Sequence, residues 1–165
     1  MLRRALLLLI VALVAIPARA SAQSWAEYRP PGIGFALEMP NGWATQVQDI
    51  DTAIGPVKGY MASIETGGLA YLSMYIPYPP DKVRGKPVQA ILDGAREGAV
   101  SNVKGHLRSE EQVTFGNFPG RKIIIDAPGD LVLVHEFFMM DATLVQAVVV
   151  GHAGVENNPS AKRFL

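Results

Sequence analysis

Apolar and polar residues alternate along much of this chain, most densely between Gly120 and Gly151. Three β-rich runs follow one another there: Arg121 to Asp126, Leu131 to Met140 and Thr143 to Val150. Val, Ile, Leu and Phe dominate them, as suits a pleated, half-buried surface. The first break, Ala127-Pro128-Gly129-Asp130, holds a fixed φ at Pro and a free one at Gly. The second, Asp141-Ala142, is short enough to force antiparallel neighbours. Pairing Ala127 with Asp130 and Asp141 with Ala142 puts Ile123, Ile125, Val132, Val134, Phe138, Val145, Ala147 and Val149 on one face with Glu136. Ile124, Leu133, Phe137, Val148 and Val150 then share the other face with Lys122, His135 and Gln146. Both faces are apolar enough to need cover, which predicts at least three layers.

The front half repeats the pattern. Gly34 to Met39 alternates as a strand, Pro40-Asn41-Gly42 is a turn, and a second strand runs from Trp43 to about Gln48. Asp49 to Pro56 reads as a loop. Val57 to Glu65 and Leu69 to Ile76 form a hairpin about Gly67-Gly68, a dipeptide suited to φ > 0 at both turn positions. With Thr66 opposite Leu69, Tyr60 pairs with Tyr75 and Ile64 with Tyr71. Pro87 to Lys104 is the one good helix, with Val88, Ile91, Leu92, Ala95, Ala99 and Val103 on one side. His106 to Phe115 reads as a strand leading into the meander. Asn158 and Pro159 begin a short C-terminal helix that docks through Phe164 and Leu165 or breaks off early.

This order of elements resembles the PsbP-like family. The resemblance rests on the Gly34-Phe35-Ala36-Leu37-Glu38-Met39-Pro40-Asn41-Gly42-Trp43 strand and turn, the hairpin, the long helix, the meander opened by Gly120-Arg121, and the Ala161-to-Leu165 helix start. It spans about Trp25 to Leu165. It implies an α+β fold in which an antiparallel β-sheet is flanked by helices in a three-layer α-β-α sandwich, shared with Ran-binding Mog-type proteins and bacterial exported proteins. It also implies a non-catalytic binding or assembly role. No functional residue carries over, because the matching motifs are packing motifs.

Residues 1–22 stand apart from this domain at 23–165. Arg3 and Arg4 precede an apolar run from Ala5 to Ile16, and Ala20-Ser21-Ala22 offers a small-x-small exit. This is the pattern of a secretory signal peptide, cleaved after Ala22 or after Ala20. The apolar run is shorter than the ~20 residues of a spanning helix. Cleavage removes three of the 15 Lys and Arg and none of the 15 Asp and Glu, leaving a net charge of −3. No basic run tracks a phosphate backbone, so nucleic acid is not an expected partner. The absence of Cys removes disulfides, thiolate ligands and a Cys nucleophile. The address expected is the periplasm of a Gram-negative bacterium, with another exported or envelope protein as partner and no membrane span after cleavage.

Candidate chemistry is sparse, and neither enzyme activity, a metal nor a cofactor is expected. His135-Glu136 begins an H-E-x-x-H motif, but Met139 stands where the second His belongs, and a strand would turn the pair to opposite faces. His106, His135 and His152 are scattered. Glu110 and Glu111 are strand neighbours facing apart, whereas Asp49 and Asp51 in a loop could face together. The best candidate surface is Tyr60, Tyr71 and Tyr75, three aromatic side chains with polar tips on one hairpin face. Such groups anchor partner interfaces and apolar-ligand pockets, or simply fill a core. The alternative function is therefore a periplasmic carrier of a small apolar ligand. Intact mass of the protein recovered from the exported fraction should correspond to a chain beginning at Gln23 or Ser21; a mass retaining Met1 to Ala20 would reject processing.

Overall fold

A computed structural model describes residues 23–52 and 55–165. The expected signal peptide at 1–22 lies outside the described residues. Nine strands and three helices follow in order: β1 Trp25–Tyr28, β2 Leu37–Pro40, β3 Ala44–Thr52, β4 Gly55–Thr66, β5 Leu69–Pro77, α1 Pro80–Val83, α2 Val88–Asn102, β6 His106–Phe115, β7 Phe118–Ala127, β8 Leu131–Met140, β9 Thr143–His152 and α3 Pro159–Phe164. β1 and β2 form a two-stranded ribbon. The rest make one seven-stranded sheet in the order β3-β4-β5-β9-β8-β7-β6, with every neighbouring pair antiparallel.

The helix-flanked three-layer α-β-α sandwich expected from the sequence is not what this chain builds. Most of the described residues are strand, and α2 is the only helix longer than six residues among them. It covers one face, here the helix face, where Leu92 meets Ile123, Ile125, Phe137 and Leu144 in a closed core. The opposite face is covered chiefly by the β1–β2 ribbon, with six-residue α3 beside it. Met39, Tyr71, Val134, Val149 and Phe164 close that second core. Asn158 caps α3, its Oδ1 accepting from the amides of Ser160 at 2.8 Å and Ala161 at 3.3 Å. The short helix is thus held by its cap and by Phe164 packed edge-on to Tyr71, not by propensity.

The hairpin pairs as its turn dictates. Gly67 and Gly68 both take positive φ, and Thr66 faces Leu69, bringing Tyr60 opposite Tyr75 and Ile64 opposite Tyr71. β3 continues through Asp49 to Thr52, where the sequence predicts a loop, and Trp25–Tyr28 pairs as a strand with Leu37–Pro40.

The meander carries one correction. Asp141-Ala142 makes the expected two-residue turn, but Ala127 pairs with Leu131, so the first connection has three residues, Pro128-Gly129-Asp130. A slip of one residue moves a whole strand's side chains to the other face. Ile123 and Ile125 therefore lie with Leu133 and Phe137 under α2, while Lys122 and Ile124 share a face with Glu136 and Val134. Lys122 Nζ sits 2.8 Å from Glu136, an ion pair the expected register would have separated.

Four charges tie α2 to the sheet. Arg121, nearly buried, donates from Nε to Glu110 at 2.9 Å, and Arg96 of α2 reaches the same carboxylate at 3.0 Å. Asp93 of α2 stands 3.4 Å from Arg96 and 3.6 Å from Arg121. Beyond that clamp, Gly120 lies flat beneath the ring of Phe138. A Cβ there would run into that ring and into the backbone carbonyl of Phe137, which cannot give way. Gly120→Ala should therefore cost about 1–3 kcal/mol, although Ala usually improves a strand; an unchanged or raised urea midpoint would contradict this packing.

Candidate surface on the ribbon face

The cross-strand registers align one residue from each of the seven strands: Val47, Tyr60, Tyr75, Val145, Phe138, Gly120 and Val113. Residues directly opposite in antiparallel strands share a face, so these form a row across the ribbon face from edge to edge. No member is charged. The middle is roofed by Phe35, which packs with Tyr75 and Val145 and has Ile33, Tyr60 and Met140 around it. Towards the edges the roof stops. Val47 is 58% exposed at one end and Phe115, tilted against Phe138 at 5.9 Å, is 50% exposed at the other.

The three tyrosines share a face but not an environment. Tyr60 and Tyr75 stack nearly parallel with centroids 4.8 Å apart, Tyr75 buried and Tyr60 half-buried. Tyr71 lies in another row, sealed between Trp25 at 5.7 Å and Phe164 at 5.4 Å. It is core, and of the three tyrosines only Tyr60 remains partly exposed, towards the open β3 margin. Sequence reasoning missed Val47, Phe115 and Phe138 as members of one face. Only the long-range pairing of β5 with β9 joins them into one surface.

Burial raises the Tyr75 phenol above its ordinary value, and the Tyr60 phenol beside it adds to the rise. Burial raises that of Tyr28 as well, with Tyr75 contributing. These hydroxyls therefore stay protonated at neutral pH and can donate hydrogen bonds. The row thus combines apolar area with the neutral hydroxyl of Tyr75.

The remaining candidate residues are dispersed. His135 and Glu136 point to opposite faces of β8, as strand parity requires. His152 Nδ1 lies 3.1 Å from the Asp130 carbonyl, and His106 is exposed on β6. Among the described residues no three His, Asp or Glu side chains are arranged to hold a metal ion. Glu110 faces α2 while its neighbour Glu111 faces away, and Asp49 lies on β3 paired with Lys58 at 2.6 Å. Two open grooves, of about 330 Å³ beside Val83, Arg84 and Ile91 and about 490 Å³ beside Leu69, Val150 and His152, lie elsewhere.

No family model matches the chain, and no curated protein matches it. Among solved structures, the crystal structure of a Pseudomonas aeruginosa protein of unknown function, described as a candidate regulator, is similar over 81% of this chain and 87% of its own. The identity is 10% and the TM-score 0.46.

His135 supplies the clearest electrostatic signature. Its ring is buried under α2, and Nε2 lies 3.0 Å from Gln146 Oε1, an acceptor, so the neutral tautomer carries its proton there. Burial lowers its pKa from 6.5 to about 4, opposed only partly by the Gln146 bond. The unfolded imidazole binds a proton through that window and the folded one does not, so the stabilisation is complete above pH 6.5 and is lost as pH falls towards 4. The loss should be on the order of 3 kcal/mol. In His135→Gln the part of the acid-side slope of the urea midpoint lying in this window should disappear; an identical slope in both proteins would place the titration elsewhere.

Proposed function

We propose that this is an exported protein that acts without catalysis, by binding another exported or envelope protein along the stripe on its ribbon face. The single observation that carries the reading is the uncharged row from Val47 through Tyr60, Tyr75 and Phe138 to the Phe115 end, open at both edges. Its exposed aliphatic and aromatic ends, Val47 and Phe115 on either side of the Phe35 roof, cost solubility and are kept where they meet a partner. The signal-like pattern of residues 1–22 supports export, and the resemblance to the PsbP-like family implies a binding or assembly role. The carrier alternative has less support. The space between α2 and the sheet, where an apolar ligand would sit, is filled by Leu92, Ile123, Ile125 and Phe137.

A photo-reactive phenylalanine analogue placed at Phe115 or at Tyr60 tests this in the native host. Both positions should yield the same cross-linked partner upon irradiation, and the analogue at Gln89, exposed on α2, should yield none of it. Absence of an adduct at both stripe positions, or equal capture from Gln89, would reject the stripe as the binding surface.

A further inference from the structure

A sheet that does not close has two edges, and an unguarded edge is a template for another strand. The two edges of this sheet differ. β6 is guarded: its register shifts between Leu107 and Ser109, and Arg108 at that irregularity is tied to Asp126 and, at 2.9 Å, to Glu156. Glu110 and Glu111 add charge to the same strand. β3 has no such register shift and no arginine tying it down, and its two charges, Asp49 and Asp51, are confined to its second half. It pairs with β4 without interruption from Ala44 to Thr52, has no proline, lysine or arginine, and is uncharged from Ala44 to Gln48. Its residues from Ala44 to Asp49 are all exposed, and Val47 is one of the large hydrophobic residues most open to water.

We infer that β3 is a homodimer interface, pairing antiparallel with β3 of a second copy about a two-fold axis at Val47. Charge restricts the register. An axis at Asp49 sets Asp49 against itself, and an axis at Ile50 sets Asp49 against Asp51, so both place like charges in contact. An axis at Gln48 leaves Val47 facing a carboxylate. With the axis at Val47, that side chain meets Val47 of the second copy, Gln46 meets Gln48, Thr45 meets Asp49, and no like charges are opposed. The two amide pairs lie on the helix face and can hydrogen-bond mutually. The interface is isologous, which makes it closed rather than a growing filament.

The pairing joins the two stripes. Because directly opposite residues share a face, the row Val145-Tyr75-Tyr60-Val47 continues into Val47-Tyr60-Tyr75-Val145 of the second copy. The inference rests on the β3 edge and stands whether or not the stripe binds another protein, since the measurement below reads self-association alone.

The chain has no cysteine, so a single introduced thiol reports one position. The full chain, purified as it accumulates in its host, should show twice the monomer mass by light scattering. Val47→Cys treated with a short bis-maleimide should give covalent dimer, and Gln112→Cys on β6 should not. Val47→Lys, which places two cations at the axis, should shift the species to monomer while its circular dichroism stays unchanged. A monomeric mass at every concentration, preferential cross-linking through Gln112→Cys, or a dimer untouched by Val47→Lys would each overturn the proposal.

Discussion

Seven strands spaced about 4.8 Å apart make a sheet nearly 29 Å wide, and one α-helix with its side chains is only about 10 Å across. This mismatch governs the rest of the structure. α2 is the only long helix among the described residues, and it lies over β7 and β8 on one face, above Ile123, Ile125 and Phe137. The other face receives the ribbon, α3 and the Phe35 loop, which together reach only its centre. Strand content in excess of cover leaves most of β3 and β6 exposed, and the aromatic row shows at each margin.

The clamp of Asp93, Arg96, Glu110 and Arg121 follows from the same shortage. α2 sets Ala95 and Ala99 among Val88, Ile91, Leu92 and Val100 on its inner side, and only Leu92 of these is fully buried. Charged groups then hold its orientation against β6 and β7. Arg121 is the buried member, and burying it stays affordable only because Glu110 and Asp93 both approach it. On the same face His135 and Gln146 solve the polar problem differently, by satisfying each other while neutral.

Local features of the chain carried their own geometry into the structure. Gly67-Gly68 specifies a two-residue turn, and the hairpin register, with Tyr60 opposite Tyr75, follows by counting. Pro87 and the spacing of Val88, Ile91, Leu92 and Ala95 locate α2 to within two residues at each end. Ala127-Pro128-Gly129-Asp130 was less legible. Asp130 takes a φ of 57°, open to Asp without great penalty, so the chain closes with three residues where composition equally suits two. That single residue decides which isoleucines lie under the helix. Fold class failed for a larger reason: both faces of the meander ask for cover, but nothing local says whether a helix or a ribbon of Trp25 to Pro40 supplies it.

The tyrosines show where reading from sequence stops. Parity within β4 and β5 places Tyr60, Tyr71 and Tyr75 on one face, because alternation is a property of the strand itself. Their exposure is not such a property. Tyr71 pairs across to Val149 in the row beneath Trp25 and Phe164, while Tyr75 pairs to Val145 two rows away, beneath the single ring of Phe35. Four residues along one strand thus separate a position sealed by Trp25 and Phe164 from one buried beneath Phe35 alone. The difference is set by segments up to 93 residues distant, at Phe164, and no window of sequence around the tyrosines contains it.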